Sequence, residues 1–189
     1  MKSLIAIDPG CSGGIAYQTV DGVKVINMPE TRRDTIDSLR IILTRCIPSA
    51  TAYIEKVASY IPDGGASQMF EFGRNVERVG CILETLGVPI IEVRPQEWQK
   101  GLSLGNSDRH RVPSSPRGAS KEEKKAFKLT NAELIKGIKT ANAKAKRDWK
   151  TRLKAEAQRR WPDQKVTLST CDALLILSYA IQRENGNLL

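Results

Sequence analysis

The stretch Leu4-Ile-Ala-Ile-Asp8-Pro9-Gly10-Cys11-Ser12-Gly13-Gly14-Ile15-Ala16 limits what this chain can fold into more than any other. An apolar run delivers one aspartate to its end, and Pro-Gly then turns the chain into a second apolar run. A buried strand that ends this way fixes a carboxylate at a sheet rim beside exposed backbone N–H groups. A divalent cation and a phosphate can both bind there. Alone, the pattern is equally that of an ordinary hairpin, so its chemistry depends on partner carboxylates elsewhere.

Residues 3–7 and 13–19 read as antiparallel strands around that turn, and 23–27 as a third strand after Asp21-Gly22. From Thr35 to Cys46, Ile36, Leu39, Ile42 or Leu43, and Cys46 follow helical spacing. Residues 51–57 form another short strand, ending on Glu55-Lys56-Val57. A loop over 58–66 carries Tyr60. A helix follows over 67–86, with Met69, Phe72, Val76, Val79 and Leu83 on one face and Gly87 as its stop. Gly73 and Gly80 share a side of that helix and permit close backbone approach, which core packing and a dimer seam explain equally well.

Residues 88–94 read as a further strand, and Pro95-Gln-Glu-Trp98 opens a short helix. The segment 101–118 has no periodicity and reads as a loop. Capping-box spacing in Ser120…Glu123 and Thr130…Glu133 predicts helices starting near 121 and 131. The second runs through Trp149, or breaks and restarts toward Trp161 before Pro162. A strongly apolar helix follows from Thr170, with Asp172 in its first turn and a frayed tail from Gln182. This order predicts an α/β fold, with a mixed five-stranded sheet flanked by helices. The 189 residues suit one domain, with a basic loop and helical insertion over 104–149.

The net charge of +9 is concentrated. Residues 117–160 hold fifteen Lys/Arg against five Asp/Glu, and the rest of the chain is close to neutral. Such a region selects a polyanion, because neutralising phosphates releases condensed counterions. A solvated helical face that only maintains solubility, or an anionic membrane surface, would accommodate the same charge. No apolar run is long enough to span a bilayer, and the start lacks a signal-peptide layout. The scattered Cys11, Cys46, Cys81 and Cys171 read as reduced, mostly buried thiols, with neither zinc spacing nor a disulfide framework. A cytoplasmic protein is expected.

Asp8 on a central strand, Glu55 at the end of an adjacent one and Asp172 opening a helix packed across them would repel one another without a cation. Oxygen-only ligands suit Mg²⁺ or Mn²⁺. Two such ions about 3.5–4 Å apart activate a water and stabilise the leaving oxygen in phosphodiester hydrolysis. Each acid also has a plainer role open to it. Asp8 can close a turn, Glu55 can pair with Lys56 or an arginine, and Asp172 can favour a helix N-terminus. In its loop, Tyr60 can wedge into or stack on an unpaired base, and Lys56, Arg74 and Lys100 can grip phosphates. The lone histidine, His110, takes no catalytic role.

Ile5-Ala-Ile-Asp8-Pro-Gly, Tyr53-Ile-Glu55-Lys56-Val57, Gln68-Met-Phe-Glu-Phe-Gly73-Arg74, Gly87-Val-Pro-Ile-Ile-Glu-Val-Arg-Pro95-Gln-Glu-Trp98 and Asp172-Ala-Leu-Leu-Ile occur in one order. In that order and spacing the chain resembles RuvC-type Holliday junction resolvases of the RNase H-like superfamily, nearest their phage-type branch. The resemblance covers most of 1–102 and about 150–182. It implies a homodimeric endonuclease that needs Mg²⁺ or Mn²⁺, two ions per site, and cleaves branched DNA to 5′-phosphate and 3′-hydroxyl ends. It implies metal-binding catalytic roles for Asp8, Glu55 and Asp172, and phosphate contact for Lys150. The family generally offers a fourth acid or a histidine shortly before the last aspartate. Here Thr167-Leu-Ser-Thr170 has neither, and Ser169 can support only a water-mediated contact.

Other functions share parts of this pattern. Actin-like ATPases and sugar kinases use an Asp-plus-glycine first hairpin around ATP, but need a second such domain that this length excludes, so no nucleotide cofactor is expected. An RNase H-like nuclease acting on structured RNA, and a junction-binding protein that does not cleave, remain open alternatives.

Overall fold

In a computed structural model that describes residues 3–46, 49–56, 65–105 and 107–186, the first apolar run becomes β1 (Ser3–Asp8). Ile5, Ala6 and Ile7 are wholly buried, which only a central strand permits. Its neighbours are β2 (Gly14–Thr19), antiparallel, and β4 (Ala50–Glu55), parallel. β3 (Gly22–Asn27) pairs with β2, and β5 (Ile90–Val93) runs parallel to β4. The sheet order is β3-β2-β1-β4-β5, the mixed five-stranded sheet expected from the sequence.

Alternation along the strands sorts the two faces. Ile5, Ile7, Ile15 and Ile54 pack with Leu39 and Ile42 of α1 (Arg32–Thr44) and with Val79 and Leu83 of α2 (Ala66–Thr85). On the opposite face, α6 (Cys171–Glu184) lies over β1, β2 and β4 with Leu174, Leu175, Ile176 and Leu177 fully buried. The Tyr53 hydroxyl donates to Glu184 Oε1 at 2.6 Å and fixes the far end of α6 to β4. The helix therefore persists past Gln182, where fraying was expected, because the sheet supplies a partner for its last turn.

Local hydrogen bonds set several helix ends. Thr31 caps α1 by accepting from the Asp34 N–H at 3.1 Å, so that helix starts before Thr35. Gly87, at φ +70°, closes α2 in a Schellman turn, with Val88 N–H on the Leu83 carbonyl and Gly87 N–H on that of Glu84. Among the described residues, a Cβ on Gly73 or Gly80 would meet nothing within 4 Å, so core packing does not explain those glycines. Only Cys171 of the four free thiols is buried; Cys11 and Cys81 are exposed, contrary to expectation. No helix among the described residues is long and apolar enough to cross a membrane.

The chain divides into two compact units, residues 1–103 with 153–189, and residues 104–152. In the second, α4 (Lys121–Thr130) starts at the Ser120–Glu123 capping box, with both reciprocal bonds made. The second capping box is not formed. Thr130 ends α4, and Asn131 alone separates it from α5 (Ala132–Arg160), its carbonyl accepting from Ile135. One continuous helix thus replaces the break weighed near Trp149. The preceding loop is clasped to α5 where Asn142 bonds both the N–H and the carbonyl of His110, at 2.7 and 2.8 Å.

Candidate functional site

The register decides which carboxylates share a rim. Ile7 of β1 pairs with Ile54 of the parallel β4, so Asp8 and Glu55 end adjacent strands at the same edge of the sheet. Alternation places Asp8 on the face of Leu4 and Ala6, and Glu55 on that of Tyr53, which is the face covered by α6. The first turn of α6 reaches this same end. Gly14 pairs with Asp8, and a Cβ on Gly14 would lie 3.3 Å from both the Thr170 Cα and the Ser169 carbonyl oxygen. Asp172 follows two residues later, in the first turn of α6. Gly13 is equally constrained, since a Cβ there would overlap the Asp8 carbonyl oxygen and sit 2.8 Å from its carboxyl carbon.

Each carboxylate also has a local contact. Gly10 N–H donates to Asp8 Oδ1 at 3.3 Å, so Asp8 closes its turn. The buried indole of Trp98, in α3 (Pro95–Lys100), donates to Glu55 Oε1 at 3.2 Å. Cys171 Sγ lies 3.3 Å from Asp172 Oδ1. Among the described residues no group of three or more His, Cys, Asp or Glu side chains is gathered closely enough to hold a metal ion. In donor chemistry, three carboxylates fit a hard divalent cation, and in position their backbones share one rim.

The other expected residues are spread over different surroundings. Lys56 pairs with Glu92 rather than Glu55, and Arg74 pairs with Glu71 at 3.1 Å on the exposed side of α2. Lys100 sits exposed in the last turn of α3. Lys150 is half-buried on α5, in the second unit. Ser169 is half-buried just ahead of α6, its carbonyl facing Gly14. Tyr60 lies outside the described residues.

Sequence reasoning passed over the bond from Trp98 to Glu55. The signal was present, because a tryptophan buried to 1% exposure must place its N–H on an acceptor, and few lie within reach of a short helix after β5. Glu156 on α5 is 8% exposed and bonded to Arg159 and Arg160, while Arg160 reaches Ser178 of α6 at 3.0 Å. The Arg159 guanidinium, helped by Arg160, holds the Glu156 carboxyl down at about 2. The Trp161 indole donates to the Leu174 carbonyl at 3.3 Å. Together these contacts fasten the end of α5 to α6.

No family model and no curated protein matches this sequence. Among solved structures, the chain is similar to Thermus thermophilus RuvC, with TM-score 0.50 and 15% identity, over 98% of this chain and 97% of that one. It is also similar to T. thermophilus RuvC in complex with Holliday junction substrate, with TM-score 0.50 and 15% identity, covering 99% and 98% of the two chains. At this identity the likeness is one of architecture: the chain has a RuvC-like, RNase H-like α/β fold.

Proposed function

We propose that the protein is a metal-dependent, structure-selective DNA endonuclease that cuts branched DNA, Holliday junctions included, and belongs near the phage-type branch of RuvC-like resolvases. The observation that carries this reading is the common rim on which β1, β4 and α6 present Asp8, Glu55 and Asp172. The similarity to a RuvC solved with a Holliday junction substrate supports the choice of DNA.

Asp8, Glu55 and Asp172 would hold Mg²⁺ or Mn²⁺, with two ions per site as the working stoichiometry. Such cations, when bound, polarise a phosphodiester and lower the pKa of a water. The chain's own residues orient the donors. Gly13 and Gly14 let the hairpin and the start of α6 close on Asp8, and Trp98 directs one oxygen of Glu55; Ser169 is assigned a water-mediated contact. Lys56, Arg74, Lys100 and Lys150 are assigned to phosphates, and Tyr60 to the branch point. The first two would exchange their carboxylate partners for phosphate.

A homodimer is part of the proposal, and the outer side of α2 is its surface. Phe70 is 67% exposed there beside Gly73, and Glu77 and Arg78 offer opposite charges to an antiparallel copy of the helix. The protein is expected to have a dimer's mass in solution.

The deciding experiment is a panel of junction, flap, duplex and structured RNA in Mg²⁺, Mn²⁺ or EDTA. Cutting of the four-way junction is expected with either metal. In Asp8→Asn it should fall by about a thousandfold or more, the scale of several kcal/mol of lost charge stabilisation. Undiminished cutting by a pure Asp8→Asn preparation would remove the assigned site. A second reading, junction binding without cleavage, is favoured by the absence, among the described residues, of three gathered metal-ligating side chains and by the missing fourth acid. Binding with no product in either metal would select it, and preferential cutting of RNA would select the RNA nuclease.

A further inference from the structure

The second unit carries a surface that the rim chemistry does not use. Lys121, Lys124, Lys125 and Lys128 of α4 stand at i, i+3, i+4 and i+7, and therefore on one helical face. All four are exposed, and among the described residues none is in an ion pair. Among the described residues, the acids of the same helix form no ion pair with them. Glu123 is turned back to the Ser120 N–H at 2.7 Å, and the helical angle sets Glu122 away from the centre of the lysine face. Like charges at i, i+4, as at Lys121 and Lys125 and at Lys124 and Lys128, weaken a helix. With Leu129, which is 70% exposed, the four lysines line a shallow groove of about 390 Å³.

We infer that this face of α4 grips the phosphate backbone of duplex DNA without regard to sequence, and does so independently of any cleavage. Four ammonium groups spread over about 10 Å of helix match about three consecutive phosphates of one strand, which rise about 3.4 Å each along the duplex. Lysine suits this task as a hydrated point charge on a flexible stem, lacking the planar fork that reads a guanine edge. Among the described residues, no aromatic or amide side chain lines the groove to read a base.

The test uses the full chain and a labelled, unbranched duplex in EDTA, which separates it from the nuclease reading. Binding is measured by fluorescence anisotropy between about 50 and 200 mM salt. The variant carries Lys121→Gln, Lys124→Gln, Lys125→Gln and Lys128→Gln; its helicity is checked by circular dichroism, and the four Lys→Arg changes serve as the charge-retaining control. At about 0.9 per phosphate contact, the slope of log affinity against log salt should become shallower by two or more in the glutamine variant. It should stay at the wild-type value in the arginine variant, with two unrelated duplex sequences bound alike. A smaller change in slope overturns the inference, as does an equal loss in the arginine variant. Stronger binding of the wild type to phosphatidylserine vesicles than to DNA would also overturn it, by reassigning the face to a membrane. Failure of junction cutting, measured separately in Mn²⁺, leaves this result standing.

Discussion

The two units are built on opposite terms. The first holds every fully buried side chain among the described residues, and its sixteen Lys/Arg balance sixteen Asp/Glu. The second holds none, yet has fourteen Lys/Arg against five Asp/Glu, the whole net charge of the protein. In the first, position is fixed by burial: alternation on β1 and β4 faces two carboxylates toward α6, and close backbone approach at Gly13 and Gly14 leaves no room for a side chain. In the second, the helices rest on local devices. These are the Ser120–Glu123 box, the Asn142 clasp on His110, and Arg152 stacked 4.9 Å from the Trp149 ring. A surface held by local bonds can carry many like charges without disturbing a core; a rim of acids needs a rigid scaffold behind it.

This contrast is broken most directly by truncating one apolar side chain in each unit. Leu174→Ala, at a fully buried site on α6, should cost about 2–5 kcal/mol, whereas Leu129→Ala on exposed α4 should stay within about 0.5 kcal/mol. Urea unfolding of both variants checks this. Equal losses would mean that the second unit has a core of its own.

Acid sharpens the comparison through Glu156, whose carboxyl is held at about 2 against an ordinary 4.5. A depressed folded value means that its contribution is complete above about 4.5 and disappears as pH falls toward about 2. Glu156→Gln should therefore cost about 1–3 kcal/mol at neutral pH and flatten the loss of stability between those two values. Thermal unfolding from pH 2 to 7 provides the readout. An unchanged acid limb would show that the bonds to Arg159 and Arg160 do not fasten α5.

The subtlest expected effect concerns Trp98. Trp98→Phe keeps a large buried ring and removes the donor to Glu55 Oε1. Under the nuclease reading, metal affinity measured by cleavage against Mn²⁺ concentration should weaken by about 10–100-fold, the usual cost of losing a bond that orients a ligand. Stability should change little. An unaltered metal dependence would make that bond purely structural.

What could be read without coordinates was whatever a few neighbouring residues settle among themselves. The Asp8-Pro9-Gly10 turn, the Ser120–Glu123 box, the stop at Gly87 and the apolar period of α6 each close their hydrogen bonds or bury their faces within a turn or two. The order of these elements then sufficed for a mixed sheet with β1 at its centre. Folding in three dimensions decided the pairings between distant residues: Trp98 with Glu55, Tyr53 with Glu184, Arg160 with Ser178, and Gly14 beside Thr170. It also decided that the Thr130…Glu133 pattern lies across a helix junction, and that Lys56 turns to Glu92 instead of its neighbour. A linear pattern specifies bonds a few residues long. The choice among distant partners belongs to packing, because a donor forced inside takes whichever acceptor the assembled layers bring within reach.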